Sequence, residues 1–460
     1  MHDKIESGSR REIPSVNSVL EALGEFDVPR PLIVDLIRSE LTKERNRAAV
    51  DPVDKILERI RAGVTDLRRS RLQTVVNGTG ILIHTNLGRA PLAQDAAEKL
   101  NRIASSYSNL ELDLITGDRG SRAPYVTRAL ALLCHAEDAA IVNNCAAALV
   151  LIVSHFVRQK PEIVISRGEM VQIGGGFRIG DILESAGAKL REVGATNKTT
   201  LNDYARAIGP RTALVLRVHR SNFVMSGFVE SPSSAALGDL ARRKRIPFVH
   251  DLGSGATIAT EQLGLEEHEP TPAEAIKDGA SLICFSGDKL FGGPQAGIIA
   301  GKRKLIAALK REPFFRALRC DKLVLASLQA TVDLHLSGTR PAEIPVLSLL
   351  QTGKDELRSR AAAMLVRLRG LPLQITIGHG TASIGGGSLA KSVISSLTLD
   401  ISPEDCSVTE FAATLRNSSP PIIGYIARGF FKLDLRTIFP SQDDIVVDAI
   451  RLAATKQNRT

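Results

Sequence analysis

The sequence predicts an α/β protein with a mostly parallel sheet, preceded by a helical domain and followed by a small α+β domain. Three observations predict this fold class. Short apolar strands alternate with helical stretches from about residue 72, the preceding residues contain only helical patterns, and β-rich runs return near the C-terminus. Because 460 residues are too many for one ordinary core, we expect domains at residues 1–71, 72–335 and 336–460.

The first predicted domain is helical and basic. Apolar residues recur at helical spacing in Ser15–Leu23, Pro31–Leu41 and Val53–Ile60. A basic connecting segment follows, with arginines at Arg59, Arg61, Arg68, Arg69 and Arg71. These arginines form either a solvated helix face or a set of contacts to a polyanion, and the sequence leaves both open.

Six apolar runs are the predicted strands of the large sheet. They are apolar on both faces, which is typical of strands covered by helices on both sides. We place them at residues 139–142, 162–166, 212–218, 246–251, 281–285 and 296–300. Helices at 325–336 and 353–369 lead into the C-terminal domain, whose predicted strands lie at 392–399 and 431–435.

The amino-acid composition limits which binding partners and which cellular compartment are expected. The net charge of +9 favours a polyanion, and an aromatic content of 4% without Trp argues against RNA binding by base stacking. Five scattered cysteines, with no C-x-x-C or His/Cys cluster, predict reduced thiols and no metal site. No run approaches the roughly 20 apolar residues of a membrane span, and the N-terminus lacks a signal core. We therefore expect a cytoplasmic protein.

A lysine at the end of a predicted buried strand is the most informative single feature. The run Ser286–Gly297 follows the strand at 281–285 and surrounds Lys289 with serine and glycine. Burial keeps an amine partly uncharged, and small neighbours let the backbone close around a flat cofactor, as a Schiff-base lysine for pyridoxal phosphate (PLP) requires. Taken alone, the same pattern also fits a surface lysine in a glycine turn.

Two further strand ends complete a pattern, because ligands bind at the carboxyl ends of the strands in such sheets. The stretch Asn143–Leu149 opens a helix, whose free N–H groups suit a phosphate. Asp251 ends another strand, where a buried carboxylate can pair with a protonated pyridine nitrogen; a turn or N-cap aspartate is the alternative. We call the stretch Asn143–Leu149 the phosphate cup. The order of phosphate cup, aspartate and lysine along the chain predicts a fold-type-I PLP enzyme.

His219 and several arginines are further candidates. His219 ends the strand at 212–218, so it either contacts the cofactor or substrate or is a structural histidine. Guanidinium groups suit phosphate-like oxyanions, although surface solvation is the alternative. Arg316 and Arg319 are three residues apart, and we expect them to face the same way on a helix. The arginine candidates are Arg89, Arg122, Arg316 and Arg319.

With these motifs in place, the chain resembles the bacterial selenocysteine synthases, the L-seryl-tRNA(Sec) selenium transferases. The resemblance covers nearly the whole chain, and its motifs are long and specific. The matching stretches are Val76–Gly80, Thr85–Leu92, Ser166–Glu169, Glu192–Thr199, Asp251–Gly255, Phe285–Gly297, Arg316–Lys322, Gly385–Ser388 and Asp434–Thr437. The chain departs from the family pattern at Cys145, where an asparagine is common, and mildly at His219–Phe223 and Ala123–Tyr125.

The resemblance implies a role for each candidate residue. Lys289 would hold PLP, Asp251 would face the ring nitrogen, and Asp288 would position the substrate. Arg89, Arg316 and Arg319 would bind selenophosphate. The residues expected around the cofactor are Lys289, Asp251, Asn144, Cys145, Ala146, Ser286 and His219. Those expected around substrate and donor are Asp288, Arg89, Arg122, Arg316 and Arg319.

The implied activity is conversion of L-seryl-tRNA(Sec) to L-selenocysteinyl-tRNA(Sec) by PLP-dependent β-replacement through an aminoacrylyl intermediate. The N-terminal domain would bind the tRNA. The family assembles as a decamer, a ring of dimers with active sites at dimer interfaces. Neither DNA nor a membrane is an expected partner. The main alternative is a PLP-dependent lyase acting on a small phosphorylated amino compound, which would not need the helical domain. A non-catalytic RNA-binding scaffold is a third reading, which Lys289 and Asp251 argue against.

Overall fold

The computed structural model describes residues 13–172, 176–220, 223–338, 341–386 and 388–456. Residues 1–12 of the predicted helical domain, and residues 221–222 and 387 of the family-like stretches, lie outside the described residues. The chain divides into two compact units, residues 1–74 and 75–460. The further boundary predicted near residue 335 stays a prediction.

From residue 13 onwards, the first unit consists of three helices: α1 (Val16–Leu23), α2 (Arg30–Arg45) and α3 (Val53–Arg69). Their apolar stripes meet in one small core, whose fully buried members include Val19, Ile33, Ile37, Ile56 and Ile60. The spacing of apolar residues in the sequence produces this packing, since residues three or four apart share a helix face. Because α3 continues to Arg69, the predicted connecting segment is helical over most of its length.

The arginines of α3 are partly engaged within the first unit. The Arg59 guanidinium donates to Asp51 over 2.7 Å and also to the buried carboxylate of Glu44. Arg68 pairs with Asp27 at 2.6 Å, and Arg71 donates to the backbone carbonyl of the same residue. These contacts stabilise the helical unit, so it carries less unpaired positive charge than the sequence suggests.

The second unit alternates strands and helices. Its strands are β1 (Val76–Asn77), β2 (Ile81–Ile83), β3 (Asp138–Val142), β4 (Glu162–Ser166), β5 (Lys189–Val193), β6 (Thr212–Val218), β7 (Phe248–Gly253), β8 (Leu282–Ser286), β9 (Gly297–Gly301), β10 (Leu373–Gly385), β11 (Ser388–Pro403), β12 (Ile422–Ile423), β13 (Tyr425–Ala427) and β14 (Phe430–Asp434). Its helices are α4 (Gln94–Ala104), α5 (Pro124–Leu133), α6 (Cys145–Phe156), α7 (Ile179–Ser185), α8 (Leu201–Ala207), α9 (Ser234–Lys244), α10 (Pro272–Lys277), α11 (Arg303–Arg311), α12 (Pro313–Leu318), α13 (Lys322–Leu336), α14 (Pro345–Gln351), α15 (Lys354–Arg367), α16 (Val408–Arg416) and α17 (Asp443–Lys456).

Seven strands form the large sheet, in the order β3-β9-β8-β7-β6-β4-β5. Neighbouring strands from β8 through to β5 run parallel, whereas β9 is antiparallel to both β3 and β8. Apolar clusters cover both faces of this sheet, as the two-sided apolar character of its strands predicts. The predicted mostly parallel α/β sheet is therefore confirmed, and the carboxyl ends of its parallel strands lie along one edge.

The C-terminal part is α+β, as predicted. A mainly antiparallel sheet in the order β13-β14-β11-β10-β2 packs against α15, α16 and α17 around a separate apolar cluster. The long hairpin of β10 and β11 was only partly predicted, since the sequence indicated one strand at 392–399. None of the helices in the described part of the chain has the length and apolar character of a membrane span.

Candidate active site

A cavity of about 530 Å³ lies at the carboxyl ends of β6, β7 and β8 and at the start of α6. Nine of the residues predicted from the sequence line it: Arg89, Asn144, Cys145, Ala146, His219, Asp251, Ser286, Asp288 and Lys289. Arg122, Arg316 and Arg319 are not among its lining residues. A larger groove of about 650 Å³ lies where β7 and β8 begin, but it contains none of the predicted site residues. We therefore take the first cavity, which the predicted site residues line, as the candidate active site.

Lys289 reaches this cavity from a loop that is firmly tied to the sheet. The loop begins where the fully buried strand β8 ends. Gly287 N donates to Ala296 O over 2.8 Å, and Leu290 N donates to Ser254 O over 3.0 Å, which fixes the backbone on both sides of the lysine. The ammonium of Lys289 has no hydrogen-bond partner among the residues that the structure describes. It is therefore available to a ligand in the cavity.

Asp251 presents a buried carboxylate to the same cavity. Its side chain lies beside Cys284 in the register of β7 and β8, and Oδ1 accepts from Gly253 N at 3.0 Å and from Cys145 Sγ at 3.4 Å. Burial raises the pKa of Asp251, and the nearby Lys289 ammonium opposes that rise. A cationic N–H placed against this carboxylate would stabilise its ionised form, as a pyridinium nitrogen does.

The sequence predicts a phosphate-binding turn, the phosphate cup, at the start of α6. Asn144 caps the helix by accepting from Ala147 N at 2.8 Å, which leaves the N–H groups of Cys145 and Ala146 without acceptors in the described structure. The N-terminus of this 12-residue helix favours an anion. A Cβ atom on Gly297 would lie 2.1 Å from Asn144 O, so glycine is required for β9 to pass the cup.

Cys145 affects the site through its side chain as well as its backbone. The predicted phosphate contact is to the backbone N–H of Cys145, which an asparagine would also provide, so the departure from the family pattern does not remove that donor. The Cys145 thiol lies beside Asp251 and Cys284, and the polar atoms of the three side chains are within 4.8 Å of one another. The sequence did not indicate this cluster because its members come from three separate segments.

Asp288 and Arg89 form an ion pair on the cavity wall. Arg89 Nη1 donates to Asp288 Oδ2 over 2.7 Å, and Ala90 N donates to the Asp288 carbonyl over 3.2 Å. Asp288 is 5% exposed, and its other oxygen, Oδ1, is buried with no partner in the described residues. Leaving a buried acceptor unpaired costs stability, so this oxygen is a candidate for contact with substrate.

Two of the remaining candidate arginines, Arg122 and Arg319, contact Glu111. Arg122 donates to Glu111 over 2.7 Å and to the Cys320 carbonyl over 2.6 Å, and its hydrogen bond lowers the pKa of Glu111. Arg319 contacts the same carboxylate at 3.4 Å. The prediction that Arg316 and Arg319 share a helix face is wrong, because α12 ends at Leu318 and Arg319 has extended backbone angles.

The segment that contains these arginines is nonetheless fixed beside the cup. Asn143 N donates to Leu318 O over 2.9 Å, which joins the end of β3 to the end of α12. Arg316 is exposed and has no carboxylate partner among the described residues. Thus Arg316 is an unpaired cation near the site, whereas the charge of Arg122 and Arg319 is partly balanced by Glu111.

His219 faces the cavity, next to an acidic residue that sequence reasoning missed. His219 N donates to Asp251 O over 2.9 Å, and burial lowers the pKa of its ring to about 4, so the ring is neutral at pH 7. His219 Nδ1 lies 3.4 Å from Oε2 of Glu269, which is 1% exposed. Glu269 follows a charged loop with no apolar pattern, so nothing in the sequence predicted its burial.

Comparison with solved structures shows the fold. The structure of D-glucosaminate-6-phosphate ammonia-lyase matches with a TM-score of 0.58 and 20% sequence identity, and the match covers 84% of this chain and 97% of that one. The architecture is that of the fold-type-I PLP enzymes, as the order of cup, aspartate and lysine predicted.

Comparison with known sequences shows the family. A protein of Carboxydothermus hydrogenoformans named L-seryl-tRNA(Sec) selenium transferase is 42% identical, over 94% of this chain and 95% of its own length. A protein of Geotalea daltonii with the same name is 41% identical, over 95% and 96% of the two chains. The family model of L-seryl-tRNA selenium transferases matches residues 75–439. The resemblance predicted from the motifs is confirmed, and the chain belongs to the L-seryl-tRNA selenium transferase family.

Proposed function

We propose that this protein converts L-seryl-tRNA(Sec) to L-selenocysteinyl-tRNA(Sec), with PLP as cofactor and selenophosphate as selenium donor. Membership of the family and the names of its relatives support the reaction. The observation that carries the chemistry is the arrangement of Lys289, Asp251 and the first turn of α6 around one cavity. An amine, a buried carboxylate and a pair of free N–H groups are the three contacts that PLP requires.

The residues present fit the cofactor. Lys289 would attach it covalently, Asp251 would keep its ring nitrogen protonated, and the N–H groups of Cys145 and Ala146 would hold its phosphate, with Ser286 nearby. When bound, PLP supplies an electron sink that stabilises negative charge at the α-carbon of an attached amino acid. The Lys289 amine, once free, would take the α-proton of the seryl group, since it has no competing hydrogen-bond partner in the described structure.

Substrate and donor contacts are assigned to charged residues on the cavity wall and beside it. Asp288 would position the seryl group through its unpaired oxygen, while Arg89 holds the carboxylate in place. Arg89 and Arg316 are the arginines best placed to bind selenophosphate, since one lines the cavity and the other is unpaired. Arg319 and Arg122 would add charge from the cluster around Glu111. A guanidinium fork matches two oxygens of such an anion.

The proposal extends to tRNA binding by the helical unit and to a decameric assembly. We assign tRNA binding to the helical unit, in which Arg61 and Arg69 are exposed, and we keep the predicted division at residues 71 and 335. A decameric ring of dimers, with each active site at a dimer interface, is the assembly that the family resemblance implies. The excess of basic residues supports a polyanionic substrate.

Lyase activity on a small phosphorylated amino compound is the weaker candidate. The similarity to the ammonia-lyase structure is at 20% identity and concerns the fold, whereas relatives about twice as similar in sequence are named as selenium transferases.

Binding and transfer with purified protein test the proposed function. Serylated tRNA(Sec) should bind more tightly than serylated tRNA(Ser), and addition of selenophosphate should give selenocysteinyl-tRNA(Sec). Equal affinity for the two tRNAs, together with release of ammonia from a phosphorylated amino sugar, would establish the lyase instead.

A further inference from the structure

Glu269 and His219 form a buried pair beside the catalytic lysine. Glu269 lies in the loop before α10, whereas His219 directly follows β6. The distance from His219 Nδ1 to Glu269 Oε2 is 3.4 Å, and Nδ1 is a buried atom with no hydrogen bond in the described residues. A small rotation of either side chain would bring this pair to hydrogen-bonding distance.

The carboxyl group of Glu269 is held in place from two other sides. Ser254 Oγ donates to Oε2 over 2.6 Å, and Leu389 N donates to Oε1 over 3.2 Å. No lysine or arginine forms an ion pair with it among the described residues. These two donors fix the plane of the carboxyl group, so Oε2 is directed towards the imidazole ring rather than into solvent.

The second of these donors connects the pair to the hairpin of the small sheet. Leu389 is at the start of β11, and Gly386, just before that strand, lines the cavity. Glu269 therefore contacts both the histidine on the cavity wall and the hairpin that closes part of the same cavity.

The protonation state of Glu269 determines the tautomer of a neutral His219. An ionised carboxylate accepts a hydrogen bond from Nδ1–H, and Nε2 then carries only a lone pair. A protonated carboxyl group donates to Nδ1, and Nε2 then carries the hydrogen. Glu269 is the carboxyl group next to Nδ1, so once the two are hydrogen-bonded Nε2 is the ring nitrogen left for a ligand in the cavity lined by His219.

We propose that Glu269 is a positioning residue for His219: its carboxyl group holds the ring through Nδ1 and sets whether Nε2 meets bound cofactor or substrate as a donor or as an acceptor. The catalytic consequence rests on the proposed function, whereas the coupling between the two side chains does not. Glu269 itself touches neither substrate nor cofactor in this proposal.

The charges around Glu269 and His219 allow both the ionised and the protonated form of the Glu269 carboxyl group near neutral pH. Burial raises the pKa of Glu269 to about 7, although the hydrogen bonds from Ser254 and Leu389 oppose the rise; Glu267 adds to it, and the Lys289 ammonium opposes it. His219 stays neutral because burial lowers its pKa to about 4, with further lowering by the charges of Arg217, Arg220, His268 and Lys289. The change of tautomer is therefore expected at about pH 7, driven by the carboxyl group rather than by the ring.

Nitrogen NMR of the cofactor-free protein tests the coupling directly. Solid-state spectra of sedimented protein labelled with ¹⁵N-histidine distinguish protonated from unprotonated ring nitrogens, and the His219→Asn variant identifies the signals of His219. In the wild type, we expect the hydrogen on Nδ1 at pH 8 and on Nε2 at pH 6. A tautomer that does not change between these pH values would overturn the proposal, and this wild-type measurement requires no variant to fold.

The Glu269→Gln variant should fix the ring in one state. The amide can accept from Leu389 N and donate to Nδ1, so Nε2 should carry the hydrogen at both pH values. Glu169→Gln is the matched control, because Glu169 is also buried and burial raises its pKa to about 7, but it accepts from Val218 N instead of contacting the ring. The exposed Glu266→Gln should also behave as wild type. A pH-dependent tautomer in Glu269→Gln would contradict the assignment.

Turnover then shows whether the tautomer matters for the reaction. In Glu269→Gln, any step in kcat near pH 7 should disappear, while KM for the seryl-tRNA stays within about twofold. A step retained in this variant would refute the catalytic role even if the NMR coupling holds. A protein that shows the coupling but transfers no selenium at any pH would refute the proposed function and leave the coupling intact.

Discussion

Replacing Asp251 with asparagine should have opposite effects on the cofactor-free and cofactor-bound proteins. The amide keeps the size of the side chain and can still accept from Gly253 N, so packing around β7 is preserved. In the free protein, the substitution removes a carboxylate whose pKa burial has raised, and stability should therefore be unchanged or higher at pH 8. In the bound protein, it removes the counter-charge of the ring nitrogen.

The size of the second effect follows from the kind of contact that is lost. A hydrogen bond to a charged partner is worth roughly 1.5–3 kcal/mol, so PLP affinity should fall about ten- to a hundredfold. At a fixed saturating concentration of PLP, the stabilisation by the cofactor should shrink by about 1.4–2.7 kcal/mol.

Thermal unfolding with and without PLP measures both effects in one experiment. Asp181→Asn is the matched control, because Asp181 is an exposed carboxylate on α7, a helix that also lines the cavity. The control should respond to PLP as the wild type does. If Asp251→Asn gained as much stability from PLP as the wild type, Asp251 would not be the partner of the ring nitrogen, and the assignment of the cofactor site would have to change.

Four further predictions test the site and the domains. Borohydride reduction of the PLP-bound protein followed by peptide mapping should place the cofactor on Lys289, and a label on another lysine would contradict its role. Arg89→Ala or Arg316→Ala should slow selenium transfer from limiting selenophosphate about ten- to a hundredfold, through loss of a charged contact; wild-type rates in both would place the donor elsewhere. Deletion of residues 1–74 should abolish tight tRNA binding and leave PLP absorbance intact, as a gel-shift assay and a spectrum would show; unchanged affinity would remove the tRNA role of the helical unit. Burial raises the pKa of Glu169 to about 7 from 4.5, so the native state holds this proton more tightly than the unfolded state, and stability falls by up to about 3 kcal/mol as pH rises from about 4.5 to 7. In urea unfolding at pH 5 and pH 8, Glu169→Gln should lose less stability than the wild type at the higher pH.

The sequence predicted those parts of the fold that correspond to uninterrupted local patterns, such as apolar runs. Strands β3, β4, β6, β7, β8 and β9 were placed to within about two residues, because each is an apolar run between turn-forming residues. Strand β5 was missed because it is an edge strand with exposed lysine, arginine and glutamate side chains, so no apolar run marks it. The reversed direction of β9 was also invisible, since an apolar run carries no information about its orientation in the sheet.

The residues of the candidate site likewise separate into those that local sequence predicts and those that it does not. Lys289, Asp251 and the start of α6 were predictable because each lies near or just after the carboxyl end of a buried strand, and parallel strands bring their carboxyl ends to one edge. The error at Arg319 has a local cause as well: α12 ends one residue earlier, and a spacing of three predicts a shared face only where the helix continues. Strand ends and helix ends depend on a few residues that are adjacent in the sequence, so they can be predicted from it.

The protonation states that the mechanism needs depend instead on contacts between distant segments. Glu269 is buried, and its carboxyl group receives hydrogen bonds from Ser254 and Leu389, in other parts of the chain. Its effect on His219 exists only once β6 and the loop before α10 are side by side. Asp288 likewise pairs through one oxygen with Arg89, from a segment far away in sequence, and its other oxygen has no partner among the residues that the structure describes. The motifs therefore identify which groups enter the cavity, whereas the tertiary structure determines which of those groups carry a proton or a charge when the substrate arrives.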